Sequence, residues 1–348
     1  MDEVDNSGHR FDSDQQFDGV KRPMFPGQYK ARYEKMNIPR SDGGLEVVSV
    51  NQYRLRSLNY KEMMVKEFLS KLNQKGGPDI PKLSVDTVDG RTLTIDQNLN
   101  TVANWVQGLT KSDQIVGQGA DKNDYAGTKM RQDTLVDFKK TGSSYRELEW
   151  ALMARYVFAG KGAPEHCQIV LQLAAHWKLK GAEPGQLQAY ADAGMGLDCN
   201  GFVGNYRWHV TQSHPWYELG IASSDLGPDA TIDSFFRAKR VTDWNKIIPG
   251  ITYIMGKVDD SGNVIKGGGS AAMSGHIVIT QANEFAYHSD KESQGRCDLK
   301  VVESTASTAP GLTASFYNFT AQKGTIFTVK SRNFRRPVPM RVVICPLT

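Results

Sequence analysis

The sequence predicts an α+β chain in which helices precede a set of antiparallel strands. Three observations carry this reading. Apolar residues recur at helical spacing in two runs between Ser144 and Lys178. A third helical run opens at a cysteine, in GLDCNGFVGNYRW (196–208), with Phe202, Val203 and Tyr206 on one face. From Ile251 onward, short β-rich runs (ITYIMG, HIVITQ, LKVVES) alternate with polar and Gly-rich loops.

Taken in order, residues 1–45 are polar, punctuated by Gly and Pro, and without periodicity, which predicts an extended or disordered arm. Residues 46–55 read as a strand. A helix follows over 60–72, with Met63, Met64, Phe68 and Leu72 at helical spacing and Lys75-Gly76-Gly77-Pro78 as its stop. LSVDTV and RTLTID flank Asp89-Gly90, a hairpin signature, because that dipeptide accepts the positive φ angles of a tight turn. A short helix is expected over 99–109. The Gly- and Asp-rich stretch 115–129 reads as a linker, and its GxG lacks the remainder of a dinucleotide fingerprint. Residues 46–130 thus form a small α+β accessory region with its linker. The boundary is expected between about Gly117 and Gly142, and the main domain spans 143–348. Its first helix begins with a capping pattern, Ser144 and Glu147, and continues with Leu148, Leu152 and Tyr156. Its second, over 164–178, carries Ile169, Leu173 and Ala174. No internal repeat is visible.

Composition excludes several function classes. The net charge of +4, from 42 basic and 38 acidic residues, is too mild for a nucleic-acid binder, and the basic cluster Arg332 to Arg341 reads as a solvated strand flank. No run of about 18 apolar residues occurs, so no membrane insertion is expected. The opening MDEVDNSGHRFDSDQQ lacks the basic-then-apolar pattern of a secretory signal, so synthesis in the cytoplasm is expected, without a classical signal peptide. Cys167, Cys199, Cys297 and Cys345 form no CxxC pair, which argues against zinc; neither a metal nor an organic cofactor is expected.

Cys167 and Cys345 read as small buried hydrophobes, whereas Cys199 sits at a helix N-terminus. There, unpaired backbone N–H groups and the positive end of the helix dipole stabilise a thiolate. The same amides stabilise an oxyanion formed from an attacked carbonyl. Gly201 and Gly204 leave room for a neighbouring backbone. The candidate base is His276, which opens the strand HIVITQ. Glu303, closing LKVVES, is placed to accept the second ring N–H and fix the tautomer, with Asn283 and His288 as alternatives. His209 falls almost three turns along the cysteine's own helix, too far to act as base. His214 reads as a loop histidine, and His166 and His176 lack strand context.

LDCNGFVGNY resembles the DCSGFV motif of NlpC-like cysteine peptidases, and PGITYIM followed by GHIVI resembles their PGD-led and GHVGI strands. The resemblance covers roughly residues 197–304. It implies a papain-like, NlpC-type α+β fold, with a helix-borne cysteine packed on an antiparallel sheet, a thioester intermediate and amide hydrolysis, often of peptidoglycan stem peptides. Asn200 departs from the family's Ser, Ile251 from its Asp, and the stretch between Cys199 and the PG strand is longer than usual. Asp198 is read as an N-cap and, with Asn200, Tyr190 and Trp216, as part of the substrate site; Trp208, Tyr217 and Trp244 are further groove candidates. A cell-wall substrate without a secretory signal implies delivery by an injection machine, such as a type VI secretion system, or release by lysis. An immunity protein is then an expected partner. A cytoplasmic peptidase, deamidase or acyltransferase, and a catalytically inactive binding module, are the alternatives.

Overall fold

The structure is a computed structural model. It describes residues 24–40, 43–54, 63–72, 74, 79–86, 92–95, 145–211, 236, 239–265, 275–287, 297–306, 311–331 and 338–347, with four two-residue strands before them. Those strands pair as β1 (Glu3–Val4) with β2 (Arg10–Phe11), and β3 (Gln16–Phe17) with β4 (Val20–Lys21). The helix expected over 99–109, the linker 115–129, His214, Trp216, Tyr217 and His288 lie outside the described residues.

Helix α1 (Pro26–Glu34) starts at a proline, whose fixed φ suits the first helical turn. It buries Tyr29 and Tyr33 completely. The hairpin β5 (Met36–Pro39) and β6 (Leu45–Val48) follows, with Met36, Ile38 and Val48 in the same core. The expected arm over 1–45 is therefore corrected: residues 26–39 are folded and central. Tyr29 packs edge-on against Tyr33 and Tyr206 and also meets Phe202, so α1 rests on the helix that Cys199 opens.

The accessory region is corrected in the same way. Helix α2 (Met63–Leu72) places Phe68 against Phe158 and Trp177. The hairpin β7 (Leu83–Asp86) and β8 (Thr92–Ile95) has the expected pairing. Its Leu83 and Val85 join the core that holds α3 (Tyr145–Phe158), α4 (Pro164–His176) and α5 (Leu187–Gly194). Glutamine side chains tie these pieces together. Gln172 pairs with both the N–H and the C=O of Ser84, at 2.9 and 2.6 Å, and Gln188 does the same to Ser49, at 2.7 and 3.0 Å. Each carboxamide pairs both polar groups of a part-buried backbone position, in β7 at Ser84 and just past β6 at Ser49.

Helix α6 (Cys199–Thr211) packs on the strands β10 (Ile277–Tyr287) and β11 (Cys297–Thr305). These belong to a closed antiparallel barrel with β9 (Tyr253–Lys257), β12 (Gly311–Lys323), β13 (Ile326–Ser331) and β14 (Met340–Pro346), in the order β10-β11-β12-β13-β14-β9. Closure removes free sheet edges. The two-residue period separates the faces. Val278, Val301 and Tyr317 belong to the barrel interior with Met255, Phe319 and Phe327, while Ile277, Ile279 and Val302 face the helices.

Candidate active site

The site lies where α6 begins, against β10 and β11. Asp198 is the N-cap of α6: its Oδ1 accepts the Gly201 N–H at 2.6 Å. A Cβ at Gly201 would lie 2.1 Å from the Gly160 carbonyl oxygen, so only glycine admits the turn that follows α3. That turn is itself left-handed at Gly160 (φ +81°). Its carbonyl accepts the Asp198 N–H at 3.0 Å.

The loop before Cys199 is clamped from two sides. Leu197 donates to the Gln52 carbonyl at 2.8 Å and accepts from the Arg54 N–H at 3.0 Å, so residues 51–54 run alongside it. The Leu197 carbonyl also accepts the Ser304 hydroxyl at 2.7 Å. Ser304 and Glu303 point to opposite faces of β11. One residue therefore anchors the cysteine loop, and its neighbour reaches the histidine.

Ile279 pairs with Val302 and Thr280 with Val301, a register that makes His276 and Glu303 diagonal neighbours on the barrel side. Their side chains meet: His276 Nε2 lies 2.6 Å from Glu303 Oε2. The same oxygen accepts the Tyr317 hydroxyl at 2.8 Å, and Ser315 lies on the same wall. Cys199 lies close enough to the His276 ring to help raise its pKa. Because Nε2 faces the carboxylate, Nδ1 is the nitrogen left for the sulfur. The structure thus brings Cys199, His276 and Glu303 into one line, with Cys199 part-exposed and Glu303 fully buried.

The electrostatics favour a charged pair. Burial alone would lower the His276 pKa, but Cys199 beside the ring and the Glu303 carboxylate that accepts its N–H raise it to about 10. Burial alone would raise the Glu303 pKa, but the bond and charge of His276, aided by Ser315 and Tyr317, hold it below the ordinary carboxylate value. An imidazolium held by the Glu303 carboxylate is the state these shifts favour, and a cysteine beside such a ring is the arrangement nucleophilic thiol chemistry uses.

The other expected site residues are placed differently. Asp198 is buried, and its second oxygen lies 2.7 Å from Lys161 Nζ, so it caps the helix and forms an ion pair instead of facing a substrate. Tyr190 is buried against Phe158 in the helical core. Asn200 is half-buried at the second position of α6. Trp244 packs partly buried on the barrel core. Of Trp208 and Asn283 the structure describes only the backbone, in α6 and β10.

Three histidines away from the line have structural partners. His209 accepts the Met24 N–H at 3.2 Å and stacks on Tyr29; burial and Arg32 lower its pKa to about 4. His166 accepts the Ala163 N–H at 3.3 Å, and burial lowers it to about 3. His176 pairs with Asp79 at 2.9 Å. Burial pushes the Cys167 and Cys345 thiols up, which keeps them protonated.

Two site residues were not singled out in the sequence. Tyr53 sits in the segment beside Leu197, and burial followed by the nearby Cys199 and Asp198 raises its pKa. Lys161 is the counter-charge of Asp198. Neither belongs to a recognisable motif, and each reaches the site through a contact distant in sequence. Among the described residues, no group of three or more His, Cys, Asp or Glu is arranged to hold a metal, and no helix is long and apolar enough to cross a membrane. Comparison with known proteins gives no match among family models, curated proteins or solved structures.

Proposed function

We propose that the chain is a cysteine hydrolase that cleaves amide bonds through a thioester. The observation that carries this reading is the His276–Glu303 hydrogen bond at 2.6 Å with Cys199, at the start of α6, beside the same ring. The Cys199 sulfur attacks the amide carbon, and the carbonyl oxygen takes up negative charge beside the Cys199 backbone N–H. His276 gives its proton to the departing amine, then takes one from the water that hydrolyses the thioester. Glu303 holds the ring orientation and stabilises the imidazolium between these steps.

The substrate proposal, the stem peptides of peptidoglycan, rests on the resemblance of LDCNGFVGNY to the NlpC-like motif. With it comes the proposal that the protein acts as an antibacterial effector or lysin. Purified chain incubated with peptidoglycan sacculi is expected to release fragments with new amino and carboxyl termini, seen by mass spectrometry, and Cys199→Ala is expected to release none. Sacculi left intact by a folded wild-type protein would overturn the substrate. Equal release by Cys199→Ala would overturn the mechanism.

A further inference from the structure

We infer that Lys161 is a positioning residue for the nucleophile: its ammonium neutralises the Asp198 cap, so that the N-terminus of α6 favours the Cys199 thiolate. This rests on the reading of Cys199 as nucleophile. Asp198 is the residue immediately before the cysteine, and its carboxylate does two opposed things. It closes the first turn of α6 through the Gly201 N–H at 2.6 Å, which fixes where the sulfur points. It also sets a negative charge beside the sulfur and at the positive end of the helix dipole, and both effects oppose a thiolate.

Lys161 resolves the conflict. Its Nζ lies 2.7 Å from Asp198 Oδ2, and both side chains are about 95% buried, at 5% and 4% exposure, so solvent screens the pair little. Its backbone is fixed independently. The N–H donates to the Tyr156 carbonyl at 2.8 Å, and the carbonyl accepts from Asn205 on α6 at 3.0 Å. A lysine stem held this way delivers its charge to one oxygen, while the other keeps the cap. Among the described residues, the other titratable groups near the sulfur are His276 at the start of β10, Glu303 on β11, Tyr317 on β12 and Tyr53 beside Leu197. Among the groups behind α6, Lys161 is the cation paired to Asp198.

The test is a double-mutant cycle in the full chain. It is read as the pH at which Cys199 reaches half its maximal iodoacetamide labelling, with Cys199 followed by mass spectrometry. Lys161→Met is expected to raise that midpoint by about one pH unit or more, the scale of a nearby buried charge. Asp198→Asn keeps a capping side chain and removes the carboxylate charge, so its midpoint falls. The double variant returns near wild type. If Lys161→Met does not fold, because a lone buried carboxylate is costly, the fall in Asp198→Asn and its reversal in the double variant still decide the question. Midpoints equal to wild type in the folded variants would overturn the inference. Failure of the underlying reading looks different: wild-type Cys199 would then label no more readily than Cys199 in His276→Ala.

Discussion

The His276–Glu303 pair sets a residue-scale expectation for stability against pH. His276 binds its proton more tightly when folded, so its contribution is complete below its ordinary value of 6.5 and disappears as pH rises through about 10. Glu303 binds its proton less tightly when folded, so its contribution is present above its ordinary value of 4.5 and is lost as pH falls through the lowered one. Glu303→Gln should therefore show its widest Tm deficit between pH 4.5 and 6.5, narrowing on both sides. A deficit unchanged at pH 10.5 or above would contradict the pairing. Tyr317→Phe removes a hydroxyl from a buried carboxylate, and urea unfolding should register about 1.5–3 kcal/mol. Cys199, His276 and Glu303 were legible in the sequence because each ends or begins a patterned run. Asp198 was legible as a cap, but not as an ion pair. Its partner Lys161 lies 37 residues earlier, in a turn with no pattern of its own.

At the scale of elements, the junction of α6 with the turn after α3 is the tightest contact in the site. Gly201→Ala would drive a methyl into the Gly160 carbonyl, so helix and turn must separate. The expected cost is about 1–3 kcal/mol in urea unfolding, as for other overpacked sites. A larger proportional loss of Cys199 labelling should accompany it, because the sulfur moves with the helix. A variant as stable and as reactive as wild type would mean that the junction does not set the geometry. The need for a small residue here was readable from the Gly201 spacing. The closed barrel was not. On β12, Ser315 faces inward while the neighbouring Phe316 is exposed, a local inversion of the polar-out alternation that identifies a strand. The polar wall that disguised this strand is the one that surrounds Glu303.

For the whole molecule, residues 24–40 and 43–54 are part of the structure that holds the site. Tyr29 and Tyr33 have no exposed surface, and residues 51–54 clamp the loop before Cys199. A chain beginning at residue 56 is expected to lose cooperative unfolding and the native near-ultraviolet circular dichroism. Tyr29→Ala in the full chain should cost about 3–5 kcal/mol, as for other large aromatic deletions in cores. A well-folded truncated chain with reactive Cys199 would show instead that residues 56–348 suffice. The sequence reads α1 as a disordered arm because FPGQYKARYEK sets two tyrosines among charges. Their burial depends on Phe202 and Tyr206, far along the chain.

The most direct test of the central claim is the rate of iodoacetamide labelling at Cys199 near pH 6, resolved by mass spectrometry, in wild type and in His276→Ala. The Cys199–His276–Glu303 arrangement predicts at least about tenfold faster labelling in wild type, because a neighbouring imidazolium activates a thiol. Equal rates in two folded proteins would mean that the histidine does not activate the thiol, and the proposed hydrolase mechanism would be wrong.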